Sequence, residues 1–159
     1  MSLERISEDE AEEKILKLEY RLAQIEQVEA CQKDYLTFVR SMWPEFIAGR
    51  HHKIMAEKLE LVAKGELKRL IINMPPRHTK SEFASYLFPA WMIGKNPAMK
   101  IIQATHTTEL AVNFGRKIKN LLERDEYLEI FPEAALSADS KASGRWDTAR
   151  GGMYYGVGV

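Results

Sequence analysis

Residues 70–81 read Leu70-Ile71-Ile72-Asn73-Met74-Pro75-Pro76-Arg77-His78-Thr79-Lys80-Ser81. An apolar run passes into a short polar loop that closes on Lys-Ser, and a helix-forming stretch from Glu82 to Ile93 follows at once. Strand, loop, Lys-Ser and helix, in that order, is the sequence of elements with which a chain wraps a polyphosphate. Backbone N–H groups line such a loop, and the positive end of the following helix adds to the field. The lysine reaches the outer phosphates, and the serine hydroxyl is a ligand for Mg²⁺. The bland use of the same residues is a strand-to-helix turn with Thr79 or Ser81 as its N-cap.

Counting back from Ser81 against G-x-x-x-x-G-K-[ST], the two glycine positions fall on Met74 and Thr79. Pro75 and Pro76 stiffen the loop entry and cannot continue a strand. Arg77 adds a second cation to the same loop. If the position before Lys80 needs positive φ, a β-branched residue is strained there. Lys80 itself opens a helix, where a bare cation opposes the helix dipole and a bound phosphate would remove the conflict.

The stretch Asn73 to Glu82 resembles the variant Walker A loop of the large terminase subunit of tailed bacteriophages. That family usually reads Pro-Pro-Arg-His-Gly-Lys-Ser-Glu, and Thr79 is the departure. Gly49-Arg50-His51-His52, Ile101-Ile102-Gln103-Ala104-Thr105-His106-Thr107 and Gly144-Arg145-Trp146-Asp147-Thr148 fit the same family. The resemblance runs from about Tyr35 to Val159. It implies the ATP-binding part of a viral DNA-packaging motor, which couples ATP hydrolysis to movement of double-stranded DNA into a procapsid. On that implication, Pro75, Pro76, Arg77, His78, Thr79, Lys80 and Ser81 bind ATP, with Mg²⁺ on Ser81. Lys80 and Arg77 serve as the catalytic cations, and His52, beside His51, lies near the adenine. The implied partners of the full protein are DNA, the small terminase subunit, the portal and other copies of itself, in the host cytoplasm. Two other readings use the same loop: another P-loop DNA motor, such as a helicase or a defence ATPase, and a non-catalytic nucleotide-binding or assembly module.

At 159 residues the chain has the size of one domain and can bury a real core. No apolar run approaches the ~18 residues of a membrane span, and the N-terminus has no basic-then-apolar signal pattern. Cys31 is the single cysteine, which rules out an internal disulfide and fits a reducing compartment. The four histidines show no metal-ligand spacing along one helix, so no zinc is expected. The formal net charge of zero hides an asymmetry: residues 1–29 hold nine acidic and four basic side chains, and the remainder holds 14 acidic and 19 basic. An acidic arm on a basic body is compatible with nucleic-acid binding by the body, and equally with a solvated surface.

The pattern predicts a long helix over residues 8–41, broken or bent near its middle, with Ser7-Glu8-Asp9-Glu10 at its start. Ile15, Leu18, Leu22 and Ile25 form one apolar stripe, expected to pack on the parent domain rather than on a partner. Helices are expected over residues 51–63, from Thr79 or Lys80 to Ile93 with a disturbance at Pro89, and over residues 109–124. Strands are expected at 68–73 and 100–105. Arg145–Thr148 and Met153–Val157 read as a hairpin turned by Gly151-Gly152. The division expected is a helical arm over residues 1–42 and, over residues 43–159, the N-terminal part of a P-loop ATPase domain. The fold class expected is α/β, a P-loop NTPase-type parallel sheet flanked by helices.

Gln103, Thr105, His106 and Thr107 stand at the end of the second strand, the edge that faces ligands in open α/β sheets; capping of the next helix is the plainer use of the threonines. Trp146, Tyr154 and Tyr155 could stack on bases, although hairpin aromatics more often cover a core edge. After the loop no apolar run ends in the Asp-Glu or Asp-Asp pair that positions Mg²⁺ and water in such ATPases. The chain therefore reads as an N-terminal piece of a larger protein, incomplete at the C-terminus and inactive alone, without the acidic Walker B strand and nuclease domain that the resemblance implies.

Overall fold

Asp34 decides how the N-terminal half is built. Its backbone is extended and its carboxylate accepts from Thr37 N–H at 2.5 Å, so one helix stops and another starts. In the computed structural model, which describes residues 8–140 and 142–159, helix α1 spans Glu8–Lys33 and α2 spans Tyr35–Met42. The break expected near the middle of residues 8–41 comes later, as a capped break at residue 34. The Ser7 cap lies outside the described residues. Pro44 and Gly49 separate α2 from α3, Arg50–Ala63, which ends before Gly65 at φ 76°.

A π-helical stretch, Glu82–Leu87, runs into α4, Phe88–Lys95. The cause is Pro89, whose nitrogen has no proton for the helical ladder. The carbonyl of Phe83 instead accepts from Phe88 N–H and from the buried Tyr35 hydroxyl. Strand β1, Lys100–Thr105, leads to α5, Thr108–Leu122, which Thr107 caps by accepting from Leu110 N–H at 3.3 Å. Helix α6, Asp125–Ile130, a 3₁₀ turn at Pro132–Ala134, and strands β2, Arg145–Asp147, and β3, Met153–Gly158, complete the order.

The sheet order is β1-β3-β2, with β3 parallel to β1 and antiparallel to β2. The α/β class holds, but the sheet is mixed rather than parallel, because the expected hairpin supplies two of its three strands. Gly151 at φ 83° turns that hairpin. The strand expected at 68–73 is not a strand. Among the described residues no neighbour forms a ladder with it. Leu70, Ile72 and Met74 pack on the core, while Ile71, between them, is 85% exposed. The period of two is therefore present without the backbone partner that defines a strand.

Helix α5 lies against β3, on the sheet face that carries Ile101, Trp146 and Tyr154. The last two rings stack with centroids 5.0 Å apart, and Trp146 donates its indole N–H to Gly115 O at 3.1 Å. A Cβ at Gly115 would stand 2.4 Å from Ser143 O and 2.7 Å from the Tyr154 ring, so only glycine lets α5 approach this closely. Trp146 and Tyr154 are thus core residues; Tyr155 remains exposed. A second aromatic cluster joins α2 to the loop helix, with Tyr35 against Phe38, Phe83, Phe88 and Trp91. Tyr35 and Phe38 are fully buried, so α2 belongs to the body, and the boundary expected after residue 42 lies inside the core.

The stripe of α1 departs from expectation most. Ile15, Leu18, Leu22 and Ile25 do not pack on the domain; each is more than half exposed. The body begins to grip α1 only from Val28 and Cys31, where Trp91 donates its indole N–H to Cys31 O at 2.9 Å.

Candidate phosphate-binding loop

The irregular segment before the loop delivers the chain to Pro75 and Pro76, both exposed, and the turn begins there. Arg77 and Thr79 sit at φ 64° and 55°, the only non-glycine residues with positive φ among the described residues. The left-handed region costs an L-residue about 1–2 kcal/mol, so these two positions need holding in place. Helical backbone starts at Lys80, and Phe83 N–H donates to Thr79 O at 2.9 Å, the first bond of that helix. The Thr79 or Ser81 side-chain cap of the plainer reading does not form; the Thr79 hydroxyl donates backwards to His78 O at 2.7 Å.

Three groups brace the loop. His78 Nδ1 donates to Pro76 O at 2.9 Å. Lys80 Nζ turns back across the loop and donates to Met74 O at 3.3 Å, tying the two ends together. His52 anchors it from below. Gly49 N–H donates to His52 Nδ1 at 3.0 Å, so the ring proton is on Nε2. That nitrogen lies 2.5 Å from Thr79 Oγ1 and 3.1 Å from His51 Nε2. His52 is 5% exposed and edge-on to Phe46, with centroids 4.7 Å apart. Burial, and then the His51 ring, hold its pKa below the ordinary imidazole value.

The predicted residues thus divide by task. Lys80, Thr79, His78 and Arg77 share one loop, with Ser81 at the helix start. His52 is no free contact group, since both its ring nitrogens are engaged. His51 is the histidine of the pair that faces open space. It lines a cleft of ≈ 250 Å³ with Ile54, Met55 and Lys58 on one side and Leu70 to Met74 on the other. A larger groove of ≈ 810 Å³, between α1 and α6, shares no residue with the loop.

Thr105 and Thr107 are used locally: the Thr105 hydroxyl donates to Thr107 O at 2.7 Å, and Thr107 caps α5. Gln103 accepts from the Tyr154 hydroxyl at 3.0 Å, while its amide nitrogen is buried without a partner. The first carboxylate after the loop, Glu82, is held by Lys117 at 2.6 Å.

Sequence reasoning missed all three braces, His78 to Pro76 O, Lys80 to Met74 O and His52 to Thr79. None has a signal in the sequence, because two of the partners are backbone carbonyls and the third lies 27 residues away.

The donor set suits a polyphosphate. Among the described residues, no backbone hydrogen bond engages the N–H groups of His78, Thr79, Lys80 or Ser81, and the Ser81 side chain is unpaired and exposed. No group of three or more His, Cys, Asp or Glu among them could hold a metal ion. A Mg²⁺ at Ser81 would therefore have to share phosphate oxygens, as this ion commonly does. No described helix is long and apolar enough to cross a membrane. Comparison of the chain with protein-family models, with curated proteins and with solved structures gives no match.

Proposed function

We propose that the loop from Met74 to Ser81 binds the phosphates of ATP together with Mg²⁺, and that the chain is the nucleotide-binding part of a DNA-packaging ATPase of the large-terminase kind. The observation that carries this reading is the preformed loop. Two left-handed residues, a lysine folded back on Met74 O and N–H groups free of backbone partners at a helix start gather cationic and N–H donor groups in one loop. Such a gathering is what a phosphate chain requires and what a simple turn does not.

Lys80 is the charge placed to leave Met74 O for a phosphate oxygen. The exposed Ser81 hydroxyl is the protein oxygen for Mg²⁺, an ion that offsets phosphate charge when bound. Arg77 brings a second cation from the loop tip. The cleft beside His51 has room for a base, with an imidazole at its rim and apolar walls from Ile54, Met55 and Leu70. DNA, the small terminase subunit and the portal enter as partners of the full protein on the resemblance of the loop and its neighbouring segments.

Thermal denaturation with and without MgATP tests the binding step. The wild-type melting temperature is expected to rise with nucleotide concentration by mass action. Lys80→Ala should remove that rise. Equal shifts in the two proteins would sink the assignment of Lys80.

A further inference from the structure

Helix α1 projects from the body, with every side chain from residue 12 to residue 27 exposed. Five of its apolar residues are nevertheless ordered as a heptad seam, while Leu16 and Tyr20 stand off it. Written abcdefg, Ile15 and Leu22 fall at a, and Ala11, Leu18 and Ile25 at d. Ile15, Leu22 and Ile25 are each 56% exposed and Leu18 is 63% exposed. The seam stops where the body begins: the next a position is Glu29, paired with Lys33. It also lies roughly a third of a turn around the helix from Val28 and Cys31, which meet the body. A partner on the seam would therefore leave the Val28 and Cys31 contacts intact, with Ile25 alone of the seam residues lining the groove toward α6.

The flanking charges say what that partner is. The e positions are Glu12, Glu19 and Glu26, and the g positions facing them are Lys14 and Arg21. In a parallel, in-register pair, each g residue meets the e residue of the following heptad on the other helix. Lys14 then meets Glu19, and Arg21 meets Glu26, twice by symmetry. An antiparallel pair sets g against g and e against e, so lysine and arginine face each other and glutamates face glutamates. Among the described residues no ion pair within the chain engages Lys14, Arg21, Glu12, Glu19 or Glu26; the pairs along α1 are Lys17 with Glu13 and Lys33 with Glu29.

We propose that α1 is a homotypic docking helix: it pairs with α1 of a second copy of this chain as a short parallel coiled coil, with the seam running from Ala11 to Ile25. The inference stands apart from nucleotide binding, since it uses no residue of the loop.

Light scattering on the full chain at ~100 μM, a range in which exposed apolar surfaces associate, should report a dimer. Leu22→Glu should return a folded monomer. The double variants Lys14→Glu/Arg21→Glu and Glu19→Lys/Glu26→Lys should each dimerise at least ~10-fold more weakly, through like charges along the seam. An equimolar mixture of the two should recover a heterodimer, because every g–e pair is then opposite in sign. Ala11→Cys should give a disulfide-linked dimer under mild oxidation, since only the parallel register brings residue 11 onto itself; the wild-type Cys31, buried, should not. A monomeric wild type would overturn the proposal and leave the seam to a different protein. So would a dimer that survives Leu22→Glu, which would place the contact elsewhere. Failure of the mixed charge variants to associate would overturn the parallel pairing.

Discussion

His52 Nε2 lies 2.5 Å from Thr79 Oγ1, and this contact joins the first turn of α3 to the strained end of the loop before Lys80. The same ring accepts from Gly49 N–H and packs against Phe46 and Phe83. His52→Ala is therefore expected to remove two hydrogen bonds and a buried ring together. A loss of about 2–3 kcal/mol follows from such terms. For a chain of this size that is a fall of roughly 5–10 °C in melting temperature. Calorimetry checks it, and a change below ~1 kcal/mol, the ordinary range of surface substitutions, would mean that the loop does not depend on this anchor.

Thr79→Gly sets two effects against each other. Glycine accepts φ near 55° without penalty, while the threonine hydroxyl and its bond to His52 are lost. The strain relief, about 1–2 kcal/mol, roughly offsets the lost hydrogen bond and the added chain entropy. Stability is expected to stay nearly level, and MgATP affinity to increase because the loop is freed to adjust. Weaker binding by the glycine variant in isothermal calorimetry would show instead that the threonine side chain takes part.

The depressed pKa of His52 predicts an acid-side loss of stability. The folded chain binds this proton less readily than the unfolded chain, because burial and the His51 ring disfavour the charged form. The contribution is complete above the unfolded value near ~6.5 and is lost as pH falls through the lower folded value. Melting curves from pH 7.5 down to 5 should therefore fall more steeply for wild type than for His52→Gln. Parallel profiles would remove His52 as the titrating group.

Leu22→Glu should leave the unfolding free energy of the separated chain within about 0.5 kcal/mol of wild type, as exposed substitutions do. Leu22 is 56% exposed, so the charge meets water rather than a core. Denaturation at sub-micromolar concentration, where association does not contribute, isolates this effect. A loss of several kcal/mol would show that the stripe packs on the body in solution.

ATP turnover by this chain alone should be negligible. Positioning of the attacking water supplies much of the rate in phosphoryl transfer. The first carboxylate after the loop, Glu82, is already committed to Lys117. A rate near ~1 s⁻¹, the low end for enzymes of this kind, that disappears in Lys80→Ala would show that the described residues contain a complete site.

What the sequence by itself determined is local. The loop was legible at Pro75-Pro76-Arg77-His78-Thr79-Lys80-Ser81 because two prolines end an apolar run and the residues behind favour helix. Asp34, Pro89, Thr107 and Gly151 act on their own neighbours, so the break, the helix disturbance, the cap and the hairpin turn each follow from residue type. Partnership between distant segments was decided only by the tertiary structure. Whether residues 68–73 become a strand depends on a neighbour's backbone, and alternation alone cannot supply one. Whether Ile15, Leu18, Leu22 and Ile25 face a core or water depends on where α1 leaves the body, and an amphipathic stripe is written the same way for both. The brace between His52 and Thr79 joins positions 27 residues apart through a hydroxyl and a ring nitrogen, a contact that exists only once α3 and the loop have packed together.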